Sequence, residues 1–573
     1  MSSIIPSARQ DTPGHKDGRE VEWQLASTNL GSVRRWLTDH DRIDDLLVEP
    51  ASTLQLCDTY FDTDDWRIYR AGFALRIRME SGQAQVTLKS LHSASTEVAD
   101  RRELTEDLES SDSAAIRQSS GPVGARVQAV AGAHALQPLF EVRTSRERFA
   151  IRREDEPLQL GEIALDETVV SHPQGEPRTS MQRVEVEALT EAHEPLEMLV
   201  KALRNDCALV PAADSKYSLG LKSVGLAPAP PQFAPTAIDP SMRIDEVALA
   251  SLRRYLSAWL LHEPGARLGD DPEELHDLRV AGRRLDGILR QFGSCLPATL
   301  PRIRPMLKKV LRVLGEARDF DVALSELEAY SRDLPQADRG NLEPLRRHLA
   351  SERARARARM LRVLDSAAVQ RDLEKLTLVL ARPPAAAEDS AQQMALRVAP
   401  AMIRARYRKV RKGADRLRSR SSMEAYHAVR GRVKKLRYAL EAVAVIYGKP
   451  ADDMLRALRR WQEKLGIQHD AYVASLRLQA LASSPPKGAP SATLFLMGRL
   501  AEHYAACAAR ARKRFAKGYR KVRGRWKDLR ERFEALEGPS QRSVPAERKR
   551  RKPASGAVMD PPPSPDLGPP GPP

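Results

Sequence analysis

The sequence predicts an α+β chain of two dissimilar parts. The first is an antiparallel β-sheet that closes, or nearly closes, into a tunnel or barrel. The second is an all-α region of duplicated four-helix bundles. Three observations predict this. Apolar residues recur with period two before residue 226 and with helical spacing after it. A proline-rich stretch, Leu226–Pro240 (LAPAPPQFAPTAIDP), separates the two patterns. Two separate sequence motifs in the second part each recur 151 positions later.

Taken in order, residues 1–18 are expected to be disordered. The first domain is expected over 19–225. In EVEWQL (Glu20–Leu25), Glu20, Glu22 and Gln24 share one face, and Val21, Trp23 and Leu25 the other. ALRIRM (Ala74–Met79), QVTLKS (Gln85–Ser90), RFAIRR (Arg148–Arg153), GEIALD (Gly161–Asp166) and RVEVEA (Arg183–Ala188) alternate in the same way. Each reads as a strand with one apolar and one polar face. Helices are expected at Leu30–Asp39 and Glu194–Asn205. A linker over 226–243 is extended, because proline continues neither a helix nor a central strand. Helical segments follow near 244–262, 272–292, 300–333, 341–370, 391–417, 422–447, 452–480 and 491–537. Proline and glycine punctuate them, as at Pro264-Gly265. Residues 538–573 form a basic, proline-rich tail that is expected to be disordered. Its ERKRRKP run (Glu547–Pro553) reads as a solvated segment that helps hold a polyanion, in preference to a nuclear signal.

Composition excludes several classes. The 573 residues allow two to four domains, and 42% hydrophobic residues exclude wholesale disorder. No apolar run approaches the ~18–20 residues of a membrane span. The N-terminus has no apolar core of a signal peptide, so export is not expected. Cys57, Cys207, Cys295 and Cys507 are scattered without a CxxC pair, which argues against a disulfide framework or zinc site and fits a reducing cytoplasm. No GxxxxGK[ST] loop occurs, so a Walker-type NTPase is not expected. The net charge is +17, from 93 Lys+Arg against 76 Asp+Glu. Acids outnumber bases before residue 226, and the basic excess lies after it. The second part therefore expects a polyanion: nucleic acid, polyphosphate or an anionic membrane surface.

The repeats sharpen this expectation. HDLRVAGRRLDGIL starts at His276 and HAVRGRVKKLRYAL at His427; LGEARD starts at Leu314 and LGIQHD at Leu465. At about 100° per residue, Arg279, Arg283 and Arg290 fall within about 60° of His276. Arg430 and Lys434 stand in the same relation to His427, while Leu285 and Leu436 point the other way. Each copy thus carries an imidazole and two or three cations on one stripe, which suits a long repeating anion. Asp319 and Asp470 are placed to pair with these arginines and orient them.

The twice-repeated HxxR-x3-[RK][RK]-L pattern, each copy followed by LGxx[RH]D, resembles the CHAD domain over about 244–537. The resemblance implies two pseudo-symmetric helical bundles that bind inorganic polyphosphate. By the family pattern its binding residues are His276, Arg279, Arg283, Arg284, His427, Arg430, Lys434, Lys435 and Arg437. Residues 19–225 resemble the CYTH family, the triphosphate tunnel fold. EVEWQL stands at the family's ExExK, YFDTDDWRIYRAGFALRIR (Tyr60–Arg78) at its YYDT…G.ALRIR stretch, and Arg101 with Glu103 at its R-x-E step. The resemblance implies triphosphate binding by Arg76, Arg78, Lys89, Arg101, Arg146 and Lys216. It implies Mg²⁺ or Mn²⁺ held by acids drawn from Glu20, Glu22, Asp166, Glu185 and Glu187. The residue types agree, because condensed phosphate needs cations around its oxygens and hard carboxylates for such an ion.

Two positions depart from the family pattern: Gln24 replaces the lysine of ExExK, and Thr105 stands where a second acid often follows R-x-E. The leading expectation is a metal-dependent triphosphatase with a polyphosphate-binding helical module, cytoplasmic and associated with polyphosphate granules. A non-enzymatic polyphosphate binder with a degenerate tunnel is the alternative. RNA or DNA binding is the second alternative. It rests on the basic runs at 353–359, 404–412 and 512–525, but aromatics are only 5%, so base-stacking platforms are sparse.

Overall fold

The computed structural model describes residues 15–43, 45–91, 98–153, 158–173, 175–190, 193–229, 233, 236–381, 393–418, 421–483, 485, 489–513 and 515–537. The expected disorder of 1–14 and of the tail lies outside the described residues.

The first part runs β1 (His15–Ser27), α1 (Leu30–Asp39), β2 (Arg42–Ile43), β3 (Leu46–Thr63), α2 (Arg67–Arg70), β4 (Phe73–Glu80), β5 (Gln83–Ser90) and β6 (Val98–Leu108). It continues with α3 (Ser113–Gln118), α4 (Pro122–Ala131), β7 (Leu136–Arg153), β8 (Gln159–Ser171), β9 (Pro177–Ala188), α5 (Glu194–Asp206), β10 (Val210–Pro211) and α6 (Lys216–Ser223). The strands pair antiparallel in the order β1-β6-β5-β4-β3-β7-β8-β9, and β9 returns to β1, so the sheet closes as a ring. β1 begins at His15, within the stretch expected to be disordered, because its first residues pair with β6 from His15↔Glu106 onward. The β4–β5 turn is two residues long, with Ser81 and Gly82 both at positive φ (49° and 85°), the conformation a tight hairpin requires.

Period two sorts the faces of the ring. Trp23, Leu25, Ile163, Leu165, Val184 and Val186 point outward and pack under α1 and α5. Leu75, Ile77, Val86, Leu88 and Leu104 do the same under α3 and α4. The inward-facing residues are largely charged. Tyr60, Ala74, Phe140, Val142 and Val170 are the exception; they form an apolar cluster with Tyr217 and Leu221 of α6. A Cβ on Gly220 would lie 2.2 Å from the Phe140 ring, so α6 approaches the sheet as closely as only glycine allows.

The second part holds α7 (Ile244–Leu268), α8 (Pro272–Gln291), α9 (Arg304–Arg332), α10 (Gln336–Arg339), α11 (Glu343–Leu364), α12 (Ala367–Ala381), α13 (Ala395–Ala414), α14 (Met423–Glu441), α15 (Ala444–Tyr447), α16 (Lys449–Ser483), α17 (Ser491–Lys513) and α18 (Phe515–Glu537). The 151-residue offset carries the start of α7 onto that of α13 and α8 onto α14, and it overlays α9 on α16, α11 on α17 and α12 on α18. The related positions Gly287 and Tyr438 face each other where α8 meets α14, with a Gly287 Cβ 3.2 Å from the tyrosine ring. The linker is tied down, since Phe233 is buried in the helical core and Ile238 and Met242 pack on it.

One boundary differs from the expectation. α7 does not stop near Pro264 but runs on to Leu268, and Gly269 (φ 82°) ends it. Proline leaves the carbonyl four residues earlier, Leu260, without its helical donor. The Arg70 guanidinium of α2 donates to that carbonyl instead. The two parts of the chain are thus joined at the point where the helix has a spare acceptor. Around it lies a buried ion network. Glu263 contacts Arg267 (2.8 Å) and Arg67 (3.5 Å), Arg67 and Arg70 share Asp65, and Arg267 reaches Asp365 (2.7 Å).

Candidate functional site

The ring encloses a cavity of about 530 Å³. Its wall includes Glu20, Glu22 and Gln24 of β1, Arg76 and Arg78 of β4, Lys89 of β5, and Arg101, Glu103 and Thr105 of β6. Arg146 of β7, Glu185 and Glu187 of β9, and Lys216 of α6 also line it. The sequence alternation explains the set, because every second residue of each strand points inward.

These charges form two linked clusters. In one, Lys89 contacts Glu20, Glu22 (3.1 Å) and Glu103 (3.9 Å). Burial raises the pKa of Glu20 and Glu22, and Lys89 only partly offsets it. Burial would lower that of Lys89, but Glu22 and Glu20 outweigh it and hold the ammonium charged. Burial also opposes ionisation of Glu103, yet Lys89 and Arg76 keep its pKa low. In the other cluster, Arg146 forks onto Asp166 (2.8 and 2.7 Å) and reaches Glu185 (2.5 Å). Lys216 contacts both acids, 3.0 Å from Glu185. Glu185 is held well below the usual carboxylate range, because Lys216 and Arg146 overcome its burial.

Asp166 differs from its expected place among metal ligands. It is fully buried and absent from the cavity wall, with both oxygens taken by Arg146 and Lys216. It positions those cations. Asp58 of β3, which sequence reasoning missed, does the same for the arginines of β4: Arg78 forks onto it (2.7 and 2.8 Å) and Arg76 joins at 3.2 Å. The period-two run Asp58, Tyr60, Asp62 was the available signal. Arg101 lines the wall with its Nε buried and unpartnered. Gln24 donates to Glu22 (2.8 Å) and accepts from Arg183 (3.5 Å), a neighbour that no motif pointed to.

The ring's suitability for a divalent cation is visible in its register. Glu22 stands directly opposite Glu187 across the β1–β9 pair. Like charges so placed are destabilising, and Lys89, 3.1 Å from Glu22, offsets only part of the cost, so the pair suits a further cation. Among the described residues, the trio of acidic and imidazole groups within 4.8 Å is Asp64, Asp65 and His134, outside the cavity, where Asp65 already serves Arg67 and Arg70.

In the helical part, the structure brings the two stripes together. Arg283 lies in the field of Arg430, and Arg279 in those of Arg283 and Asp319. Burial, together with Arg283, Arg430 and Arg279, pushes the Lys434 ammonium down to about 7. Burial and neighbouring arginine lower the Arg279 guanidinium to about 10. His427 Nδ1 sits 3.3 Å from His469 Nδ1, and Asp470 contacts Arg430 at 3.7 Å as expected. Asp319 meets Arg477 (4.0 Å), a pairing the sequence did not suggest. Two of the expected residues, Arg284 and Lys435, lie elsewhere, and Arg437 stays in the field of Lys434 while it pairs with Glu441. Arg284 and Arg437 converge on Glu441, at 4.0 and 2.7 Å. Lys435 lines a separate pocket. The helical pitch explains Lys435, which is turned about 140° from Arg430.

All four cysteines are free. Among the described residues no helix is long and apolar enough to cross a membrane. Two family models match the chain: the CYTH domain over residues 33–212 and the CHAD domain over 250–479. Among solved structures the chain is similar to the CHAD domain from the plant Ricinus communis, with 27% identity and a TM-score of 0.42, covering 51% of this chain and 96% of that one. It is similar to PptA from Streptomyces chartreusis, with 20% identity and a TM-score of 0.40, covering 49% and 100%. It is also similar to the adenylyl cyclase-like HpAC1 from Hippeastrum, described as having a dominant triphosphatase activity, with 16% identity and a TM-score of 0.28, covering 36% and 97%. No curated protein matches the chain.

Proposed function

Because this chain joins a CYTH domain to a CHAD domain, we propose that its ring cavity binds and hydrolyses inorganic triphosphate or a related triphosphate while its helical groove holds polyphosphate. The observation that carries the reading is the cavity wall itself. Arg76, Arg78, Lys89, Arg101, Arg146 and Lys216 face one enclosed space together with acidic side chains. The forks on Asp58 and Asp166 hold Arg78 and Arg146 in place before a ligand arrives, which limits the ordering cost of binding. Glu20, Glu22 and Glu187, with Glu185, are the residues that would hold Mg²⁺ or Mn²⁺. When bound, such an ion polarises a phosphoryl group and lowers the pKa of water. The chain's own cations bind the phosphate oxygens and stabilise charge on the departing phosphate. A phosphate-release assay tests this with tripolyphosphate, ATP, thiamine triphosphate and long-chain polyphosphate, each with and without Mg²⁺ or Mn²⁺. Release from none of them would leave the non-enzymatic reading, in which the cavity only binds.

Gln24 is the observation that favours that second reading. It stands directly opposite Glu185 in the β1–β9 register and its amide donates to Glu22, but it carries no charge. A donor that stabilises a developing oxyanion is worth about 10²–10³ in rate. Slow turnover is therefore expected, and Gln24→Lys should raise kcat by about tenfold or more. A drop in kcat in the lysine variant would show that Gln24, with Arg183, is the working arrangement.

In the groove, polyphosphate affinity should fall steeply with salt, because cations that displace counterions give a linear log–log dependence. Arg279→Ala with Arg430→Ala should flatten it, and RNA of equal charge should bind more weakly. A groove that prefers RNA, or keeps its salt slope after both changes, would replace the polyphosphate reading with a nucleic-acid one.

Lys434 adds a pH dependence. With a pKa near 7 its ammonium is partly lost in the free groove, and an arriving anion restores it. The surrounding groups are the cations Arg279, Arg283, Arg430 and Arg437, the imidazoles His276, His427 and His469, and the acids Asp319 and Asp470. Of the imidazoles, His276 and His469 are pushed down by burial and nearby cations. Binding near pH 7.5 should take up protons and weaken as pH rises from 6 to 8. Calorimetry in buffers of different ionisation enthalpy reads this, and Lys434→Arg should move the dependence to lower pH.

A further inference from the structure

The duplication is not electrostatically symmetric. Glu441 ends α14 and is nearly buried, and its carboxylate takes Arg437 (2.7 Å), Arg459 (3.3 Å) and Arg284 (4.0 Å). The position 151 residues earlier, at the end of α8, is Arg290. Around it lies a separate pocket of about 240 Å³ lined by Arg290, Arg406, Lys409, Arg432 and Lys435. The counterparts of three of these near Glu441 are uncharged: Tyr255 for Arg406, Ala258 for Lys409 and Ala281 for Arg432. The fourth counterpart, Arg284 for Lys435, is the cation that Glu441 attracts. Of the two duplication-related sites, each built from both copies, one therefore holds an acid among arginines and the other only cations.

No carboxylate among the described residues relieves them. None of the five makes an ion pair with a described residue, and the Arg406 Nε is buried without a hydrogen-bond partner. Asp286, the counterpart of Arg437, spends its carboxylate on Arg304 (2.9 Å). Burial and the surrounding Arg290, Arg406, Lys409 and Arg432 also depress the Lys435 ammonium, as expected of unrelieved repulsion.

We propose that this pocket between α8, α13 and α14 binds a phosphoryl oxyanion, which stands where Glu441 supplies a carboxylate at the duplication-related site. Arginine forks match phosphate oxygens, and the three helices present them from three sides. Four of the five pocket residues lie off the stripes of Arg279, Arg283, Arg430 and Lys434, and Arg290 is the one that continues the α8 stripe. Arg432 and Lys435 are turned about 200° and 140° from Arg430 on α14. The inference does not rest on the groove reading, because it follows from the pocket and from the exchange of Glu for Arg between copies.

The test uses the full chain in which Arg279→Ala and Arg430→Ala disable the groove and Arg76→Ala with Arg101→Ala disable the ring cavity, with inorganic phosphate, pyrophosphate and long-chain polyphosphate as probes. Saturating anion should raise the melting temperature by roughly 5 °C. A response to inorganic phosphate identifies free phosphate as sufficient; a response only to pyrophosphate and longer chains identifies a phosphoryl group within a chain. Adding Arg290→Glu rebuilds the Glu441 arrangement, so this variant should melt higher than its parent without anion and lose the anion response. Arg406→Ala should lose the response without that gain. No response to any probe, a response that survives Arg290→Glu, or an Arg290→Glu variant that melts lower than its parent without anion would overturn the proposal.

Discussion

Glu22→Gln is expected to remove metal-dependent phosphate release, a loss of about 10²-fold or more, while the ring stays folded. The carboxylate is nearly buried, opposite Glu187 in the register and 3.1 Å from the Lys89 ammonium. Glutamine keeps the shape and an oxygen that accepts from Lys89, but it loses the charge a divalent cation needs. The cost to folding should be small. Burial already raises the Glu22 pKa, so the fold resists its ionised form and loses little when it is made neutral. Activity and melting temperature, measured on the same preparation, separate the two effects. Full activity in the variant would remove Glu22 from the metal-binding set, and loss of both readouts would make its role structural.

Glu263→Ala should produce the largest change in stability. The carboxylate is only 2% exposed and lies between Arg267 and Arg67, which are 1% and 3% exposed. Removing one member of a buried pair leaves uncompensated charge and costs about 3–5 kcal/mol. Asp365 and Asp65 remain as partners for the two arginines, which places the expectation near the low end, about 3 kcal/mol. Arg267 and Arg67 hold the Glu263 pKa down to about 2 despite burial. A depressed carboxyl pKa stabilises the fold above the unfolded value, near 4.3, and loses that contribution as pH falls toward 2. The gap between wild type and variant should therefore be full at pH 7 and should shrink below about pH 4. Glu263 joins α7 to α2, so the variant should also melt in two steps. A change below about 1 kcal/mol at pH 7, or a gap that widens in acid, would show that the network does not bind the two parts together.

Much of this molecule is legible in its sequence for a local reason. Alternation and helical pitch are short-range, so they fix which side of a strand or helix a residue occupies. That is why Glu20, Glu22, Arg76, Arg78, Lys89, Glu185 and Glu187 reach one wall, and why Arg279 and Arg283 share a stripe. The duplication was legible too, because a fixed offset survives any folding detail. Helix α7 shows the limit of such signals. Pro264 reads as a stop, yet the helix continues because a guanidinium from another domain takes the freed carbonyl.

The sequence by itself thus determined the two architectures, the faces of the strands, the repeat and the excess of cations. Only the tertiary structure decided how those charges are spent. It closed the ring by pairing β9 with β1, setting Glu22 against Glu187, and it put Asp58 and Asp166 behind the arginines. It sent Arg284 and Arg437 to Glu441, left Lys435 in a pocket of cations, and built the Glu263 network between domains. The physical reason is range. Periodicity depends on neighbours a few residues apart, whereas an ion pair forms between groups brought within about 4 Å by the whole fold, often from more than a hundred positions away.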